Sequence, residues 1–223
     1  MRPDSSGTKQ MIANAIGLPA ASWIGTVKAG SGNVLSAVGG STSPQTTIGI
    51  LASDLADKSR DKVKVLAYQA KNQLCGYRPD LGAGTLIKKN VRDGHYPIWG
   101  PLHLLAPKTG DIATNVNSRA VIDFLGMTAT AEADVKIVID AISAAYSVPD
   151  CAMNVKRTTE MGALSSYQPG RPCGCYFESK SGGASPSCHI CTTNTECATV
   201  SGAPTCRYGS SSRRTRLPTT RGT

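Results

Sequence analysis

The chain opens with residues whose types and spacing fit an anion-binding site. Ser6, Gly7 and Thr8 stand at the start of a helical pattern, and Arg2 and Asp4 precede them. At a helix start the first N–H groups have no intrahelical partners, and the helix dipole favours an anion. Arg2 offers a planar charged fork to oxyanion oxygens, and Asp4 could accept a hydrogen bond from a protonated oxyanion. The alternative is ordinary capping, because serine is also a suitable N-cap residue.

The order Arg-x-Asp-x-Ser-Gly-Thr resembles the anion-binding segment of periplasmic phosphate-binding proteins, the type II solute receptors of ABC importers. Arg2, Asp4, Ser6, Gly7 and Thr8 match it one by one, whereas the position before Ser6, usually glycine in that family, is another serine. Similar features follow along residues 2–147: Trp23, the GSGNV helix start at Gly30, the TIGI segment, and the turn Gly94-His95-Tyr96-Pro97.

The resemblance implies non-enzymatic capture of a small oxyanion, above all phosphate, with Arg2, Asp4, Ser6, Gly7 and Thr8 as ligand-binding residues. It implies no cofactor, an ABC importer membrane subunit as a partner, and an extracytoplasmic location for the parent protein. In the family, a signal peptide and a first lobe precede this motif. We therefore expect an N-terminally truncated receptor, one lobe plus a C-terminal remnant, which binds its anion at millimolar strength or weaker.

Periodicity predicts an α/β fold, in which helices alternate with short apolar strands. The predicted helices span 8–16, 30–40, 85–92, 117–126 and 131–147, and the predicted strands span 46–54, 61–69 and 102–106. The helix at 131–147 carries one apolar stripe, formed by Val135, Val138, Ile139 and Ile142. In the family this helix packs on the first lobe. We therefore expect the stripe to be poorly covered, and the chain to be marginally stable and prone to associate.

The eight cysteines are unevenly placed, with Cys75 alone in the body of the chain. The others crowd the last third: Cys151, Cys173, Cys175, Cys188, Cys191, Cys197 and Cys206. Such a cluster forms disulfides in an oxidising compartment or binds a metal in a reducing one. A single Cys-x-x-Cys unit argues against zinc, and the segment resembles the Cys-rich tails of bacterial surface lipoproteins. We expect disulfides and no metal, with all eight cysteines as candidates.

A change of composition near residue 150 predicts three parts. Residues 1–150 form the incomplete receptor-like domain, and 151–209 form a Cys-rich extracellular tail that cross-links must hold together. Residues 210–223 are basic and rich in serine, and we expect them to be disordered. The usual Cys-x-x-Gly-x-Cys ending of such modules is broken after Gly209, which suggests a frameshift.

Composition and motifs argue against several classes of function. The net charge is +9, but four arginines lie in the last eleven residues and the other basic residues are scattered, so nucleic-acid binding is not expected. No apolar run approaches the roughly 20 residues of a membrane span, and no signal-peptide core is visible. Of the histidines, His95 is expected to be structural and His103 to be packed within a strand, while His189 would be a spare ligand only if the cysteines bound a metal. No nucleophile elbow or zinc-protease motif occurs, so we predict no enzymatic activity.

An alternative of a different class is an extracellular adhesion or surface-interaction protein that keeps the receptor scaffold without its ligand. The hydrogen-bond donors for an anion distinguish the two functions. A receptor needs a complete set of such donors, from both lobes, and an adhesion protein needs none.

Overall fold

The computed structural model describes residues 1–127, 131–182, 188–190, 195 and 210–212. Within these ranges the α-helices are α1 Gly7–Ile16, α2 Ser31–Gly39, α3 Ser53–Lys58, α4 Lys89–Arg92, α5 Val116–Leu125, α6 Glu132–Ala144 and α7 Gly174–Lys180. Single 3-10 turns lie at Ala20–Ser22, Pro44–Thr46 and Asp150–Ala152. The strands are β1 Lys108–Thr109, β2 Ile112–Ala113, β3 Val155–Lys156, β4 Ser165–Ser166, β5 Cys188–Ile190 and β6 Ser210–Ser212. They pair antiparallel as β1–β2, β3–β4 and β5–β6.

Helix α1 begins and ends at residues suited to each terminus. Ser6 is in an extended conformation, and its Oγ accepts a hydrogen bond from the Lys9 N–H at 3.5 Å. Gly17 adopts the left-handed conformation (φ 67°), and the Leu18 N–H donates to the Ala13 carbonyl at 3.1 Å. The helix predicted at 8–16 is therefore confirmed. The predictions at 30–40, 117–126 and 131–147 are also confirmed to within three residues at each end.

The three predicted strands form no ladder among the residues that the structure describes. Residues 47–52 and 101–107 lack ladder bonds, and in 61–69 Tyr68 makes one isolated antiparallel bridge, to Tyr77. Alternating apolar residues favour extended backbone, but a strand also needs a neighbour at hydrogen-bonding distance. These strand assignments are wrong, while the α/β class and the type II receptor fold stay predictions.

The helix predicted at 85–92 is reduced to its last turn, α4. The preceding residue, Lys88, is held in the left-handed conformation (φ 48°), in which a helix cannot continue through it. The buried carboxylate of Asp80 fixes this conformation, because its Oδ1 accepts the Lys88 N–H at 2.6 Å and its Oδ2 lies 3.0 Å from the Lys88 ammonium. A contact from an earlier loop therefore overrides the local helix preference.

The main core lies between α6 and residues 151–177, on both sides of the predicted boundary at 150. Its buried members are Val135, Ile139, Cys151, Ala152, Cys173, Tyr176 and Phe177. In the α6 stripe, Val135 is 1% exposed and Val138 and Ile139 are 0% exposed. The expectation of a poorly covered stripe is wrong for these three residues, whereas Ile142 is half-buried. Val135 and Ile139 pack against the segment that contains the Cys151–Cys173 disulfide and α7.

A buried ionic cluster joins α3 to the loop before α4. The side chains of Asp57, Asp80 and Lys88 are buried, and Arg60 closes the group with 2.6 Å contacts to both carboxylates. The Lys88 ammonium lies 2.7 Å from Asp57 Oδ2, as an ion pair rather than a well-directed hydrogen bond. Two cations balance two anions, so no net charge is left buried.

Candidate functional site

Arg2 connects the N-terminal ends of α1 and α2. Its Nη1 donates to Ser31 Oγ at 2.6 Å, and its Nε donates to Ser6 Oγ at 3.3 Å. Ser6 is the N-cap of α1, and Ser31 is the first residue of α2. Two helix N-termini, each with a partial positive charge, therefore meet at one guanidinium. This concentration of positive potential favours an anion.

Backbone hydrogen bonds hold the first residues against the segment that leads into α2. The Met1 amino group donates to the Thr26 carbonyl, and the Lys28 N–H donates to the Met1 carbonyl at 2.8 Å. Burial lowers the pKa of the Met1 amino group, and the nearby positive charges of Lys9 and Lys28 lower it further. The N-terminal segment is thereby held beside the start of α2, next to the positive charge of Lys28.

Gly7 and Thr8 present the first turn of α1. The amides of this turn have no intrahelical acceptors, and Gly7 is exposed. No atom lies within 4 Å of the position that a Cβ on Gly7 would occupy, so a ligand can reach the backbone there. The structure thus brings four predicted site residues to one place: Arg2, Ser6, Gly7 and Thr8.

Asp4, the fifth predicted residue, pairs with a lysine that sequence reasoning missed. Its Oδ1 lies 2.6 Å from the Lys9 ammonium, and the Asp4 side chain is 64% exposed whereas that of Lys9 is only 1% exposed. The same ammonium lies 5.5 Å from the centre of the Trp23 ring. Because Lys9 offsets its charge, the Asp4 carboxylate opposes an approaching anion less than a free carboxylate would. The position of Lys9 in the helical pattern gives no indication that its side chain is buried.

The exposed Gly7 places the site at the surface, beside two depressions. A depression of about 440 Å³ beside α2 is lined by Lys28, Gly32 and Asn33, with Ser36 and Ala37. A second, of about 530 Å³, runs under α1 and touches Asp4. Neither is lined by Arg2, Ser6, Gly7 or Thr8. A bound anion would therefore be largely in contact with water.

The cysteine predictions have mixed outcomes. Cys151 and Cys173 form a disulfide, and Cys175 is also disulfide-bonded, as expected. Cys75 is free and exposed, so its expected pairing is wrong. It lies in a surface loop beside Tyr77, and its hydrogen bond raises the pKa of that tyrosine. Outside the described residues or side chains lie Cys188, Cys191, Cys197 and Cys206.

The histidines make ordinary local contacts. His95 stacks on Tyr77 with ring centres 5.0 Å apart, consistent with a structural role. His103 was expected to be packed, but its side chain is 64% exposed and its Nε2 lies 3.3 Å from Glu160. That expectation is wrong, because the 101–107 segment has no neighbouring strand. The side chain of His189 lies outside the described part of the chain.

The described ranges contain neither a membrane-spanning helix nor a cluster of metal ligands. No helix there is both long enough and apolar enough to cross a membrane. No three or more His, Cys, Asp or Glu side chains among those residues are grouped so as to hold a metal ion.

The likeness to phosphate receptors rests on sequence motifs within residues 2–147, above all the helix start at 2–8 and the turn at 94–97. Comparison of the whole chain with protein-family models, with curated proteins and with solved structures finds no match.

Proposed function

We propose that this chain binds a small oxyanion, phosphate in particular, where the N-termini of α1 and α2 meet, and that it performs no catalysis. The observation that carries the proposal is the bridge made by Arg2 between Ser6 and Ser31. The hydroxyl groups that Arg2 contacts are neutral, so the bridge does not neutralise the positive charge of its guanidinium. Two helix dipoles add to that charge at the same point.

Each residue has a distinct role in the proposed complex. The amides of Gly7 and Thr8 donate to oxygens of the anion, and the guanidinium of Arg2 donates from the side of α2. Ser6 and Ser31 orient the guanidinium. The exposed Asp4 carboxylate accepts the proton of a hydrogen phosphate, which disfavours fully deprotonated sulfate.

The proposed setting is extracytoplasmic, as a solute receptor or a lipoprotein that serves an ABC importer. The disulfides at Cys151, Cys173 and Cys175 support an oxidising compartment. The importer subunit is proposed only from the likeness of residues 2–147 to the receptor family.

Calorimetry with inorganic phosphate tests the proposal. Because donors lie on one side of an open site, we expect a Kd in the millimolar range, about −4 kcal/mol. Arg2→Ala should weaken binding at least tenfold, since it removes the charge-assisted hydrogen bonds. The matched control is Arg119→Ala, which removes an exposed arginine of α5.

No detectable heat at tens of millimolar phosphate would contradict the proposal. An Arg2→Ala chain that binds as well as the parent would also contradict it.

The second candidate function is surface interaction without a small ligand. One observation favours it: α5 has no buried residue, and the chain before it exposes Leu102 and Leu105 almost completely. Apolar surface of this kind marks contact sites on soluble proteins. The titration separates the two, because a pure interaction protein would show no dependence on Arg2.

A further inference from the structure

The segment that leads into β1 has no backbone partner over most of its length. Within the described chain, the N–H and C=O groups of residues 100–106 make no backbone hydrogen bond. No residue from 95 to 109 has a positive φ, so the segment can extend as a strand. Two of its leucines, Leu102 and Leu105, are 88% and 94% exposed. Unpaired backbone groups and exposed apolar side chains together form an edge that another strand can join.

The pairing of β1 with β2 determines which edge of this segment is open. The Pro107 carbonyl accepts the Thr114 N–H at 3.0 Å, next to the pairing of Lys108 with Ala113. The backbone groups of successive strand residues point to opposite edges, so those of the odd-numbered residues point towards the β2 side. Pro101 and Pro107 are odd-numbered, so their missing N–H groups leave the other edge intact. That edge carries the backbone groups of Gly100, Leu102, Leu104, Ala106 and Lys108.

The open edge is complementary to a second copy of itself. When two copies run antiparallel about a two-fold axis at Leu104, Leu102 of one copy faces Ala106 of the other. Gly100 of one copy then faces Lys108 of the other. Each facing pair consists of even-numbered residues, so each exchanges two backbone hydrogen bonds. This is the isologous arrangement that most homodimers use.

The charges beside the segment also fit a second copy. A Cβ on Gly100 would lie 3.0 Å from Glu160 Oε1, so this carboxylate lies beside the residue that Lys108 of the second copy faces. The side chains of Glu160 and Lys108 are 52% and 66% exposed. Within one chain they pair with His103 and Asp111, each at 3.3 Å, in surface contacts that contribute little. By symmetry, the contact between Lys108 and Glu160 forms twice in the dimer.

We propose that residues 100–108 form a homodimer interface, in which two copies of this chain pair antiparallel about Leu104. The two copies then share one sheet, with β2 of each copy as an outer strand. An isolated pair of strands is marginal in water, whereas a sheet of more strands is stable. One strand from each copy buries no more than the roughly 1,200 Å² at which specific interfaces begin, so the dimer is weak, with a Kd on the order of 10 µM.

Sedimentation equilibrium of the chain, at concentrations from about 1 to 200 µM, tests the dimer. Lys108→Glu and Glu160→Lys each place like charges across the interface, and each should raise the dimer Kd at least tenfold. The Lys108→Glu/Glu160→Lys chain restores opposite charges, and its Kd should return to within about threefold of the parent. The matched control is Lys64→Glu, which reverses an exposed lysine outside the segment and should leave the Kd unchanged.

Two proline variants test the backbone pairing itself. Leu104→Pro removes the N–H that lies at the two-fold axis, and it should raise the dimer Kd at least tenfold. Leu105→Pro removes the neighbouring N–H, which points to the other edge, and it should raise the Kd by less than about threefold. Since the segment is exposed and unpaired within one chain, both variants should unfold at the same urea concentration as the parent.

Three results would overturn the proposal. A parent chain that is monomeric at about 200 µM would leave this edge to a different polypeptide. A dimer that neither charge reversal weakens, or that both prolines weaken equally, would be joined at another surface. The anion site lies on other residues, so the phosphate titration and the dimer measurement can fail separately.

Discussion

Arg2 and Lys9 lie close together, but the structure uses their charges in different ways. The Lys9 ammonium is buried and paired with the Asp4 carboxylate, whereas the guanidinium of Arg2 donates to the neutral hydroxyls of Ser6 and Ser31. An ion pair cancels charge, and a hydrogen bond to a hydroxyl does not. The positive charge of Arg2 is therefore the one that an anion can neutralise.

Local chemistry explains which of these residues could be predicted from the sequence. Capping by Ser6 and access at Gly7 depend on the few residues around a helix start, so the pattern at 6–8 indicates them directly. The contacts of Arg2 with Ser31 and of Lys9 with Trp23 join residues that are distant in the chain. Periodicity and spacing carry no information about such pairs.

Tyr167 gives a prediction about alkaline pH. Its hydroxyl donates to Asp150 Oδ2 at 2.5 Å, and this bond, with burial and the charge of Asp150 adding to it, raises the Tyr167 pKa to about 12 from the usual 10.0. A raised pKa in the folded state stabilises the fold fully below pH 10, and that stabilisation is lost as the pH rises through about 12. We expect urea unfolding of the parent to lose more stability than Tyr167→Phe over this range.

Two further variants make the pH prediction specific. Asp150→Asn removes the charge that the phenol responds to, and it should reduce the pH dependence as Tyr167→Phe does. Tyr146→Phe removes a hydroxyl elsewhere in the chain and should keep the parent's pH dependence. Equal losses of stability in the parent and Tyr167→Phe would refute the role of this hydrogen bond.

At the level of elements, helices were predicted better than strands, for a physical reason. The contacts that form α1, α2, α5 and α6 are mostly within each helix, so periodicity is sufficient to indicate them. A strand needs a partner, and the segments at 47–52 and 101–107 have none in the described chain. Helix α7 was not predicted at all. Seven residues are too few to show a helical period, and its first turn is held by a disulfide that joins residues distant in the sequence.

Gly49 gives a prediction about how the 47–52 segment packs on α2. A Cβ at this position would lie 2.6 Å from Val38 Cγ2 and 2.8 Å from Val34 Cγ1. Gly49→Ala should therefore lower the free energy of unfolding by about 1–3 kcal/mol, the usual cost of overpacking. Chemical denaturation measures this, with Gly84→Ala as control, since nothing lies within 4 Å of a Cβ there.

A second substitution shows whether the clash itself is responsible. Val38→Ala removes the nearest methyl group, so the Gly49→Ala/Val38→Ala chain should be more stable than the two separate losses predict. Strictly additive losses would mean that the segment does not pack on α2 as described.

At the scale of the whole molecule, the cover of α6 changes what is expected of this chain. In the receptors that this chain resembles, the α6 stripe packs on the first lobe, which we expected to be absent here. We therefore predicted a chain that is marginally stable and prone to associate. The structure instead buries all of Val135, Val138 and Ile139, and Val135 and Ile139 pack in one core with residues of 151–177. Any tendency to associate is now better sought at Leu102, Leu105 and α5, whose apolar side chains remain exposed.

The most direct measurement is a phosphate titration of the ¹⁵N-labelled chain followed by amide chemical shifts, with chloride at matched ionic strength as the control. We predict saturable shifts in the millimolar range that are largest at Gly7 and Thr8 and extend to Ser31, because an anion at Arg2 contacts both helix starts. Arg2→Ala should shift them to at least tenfold higher phosphate concentration. Shifts that are uniform along the chain, that are reproduced by chloride, or that centre away from α1 and α2 would contradict anion binding at this site.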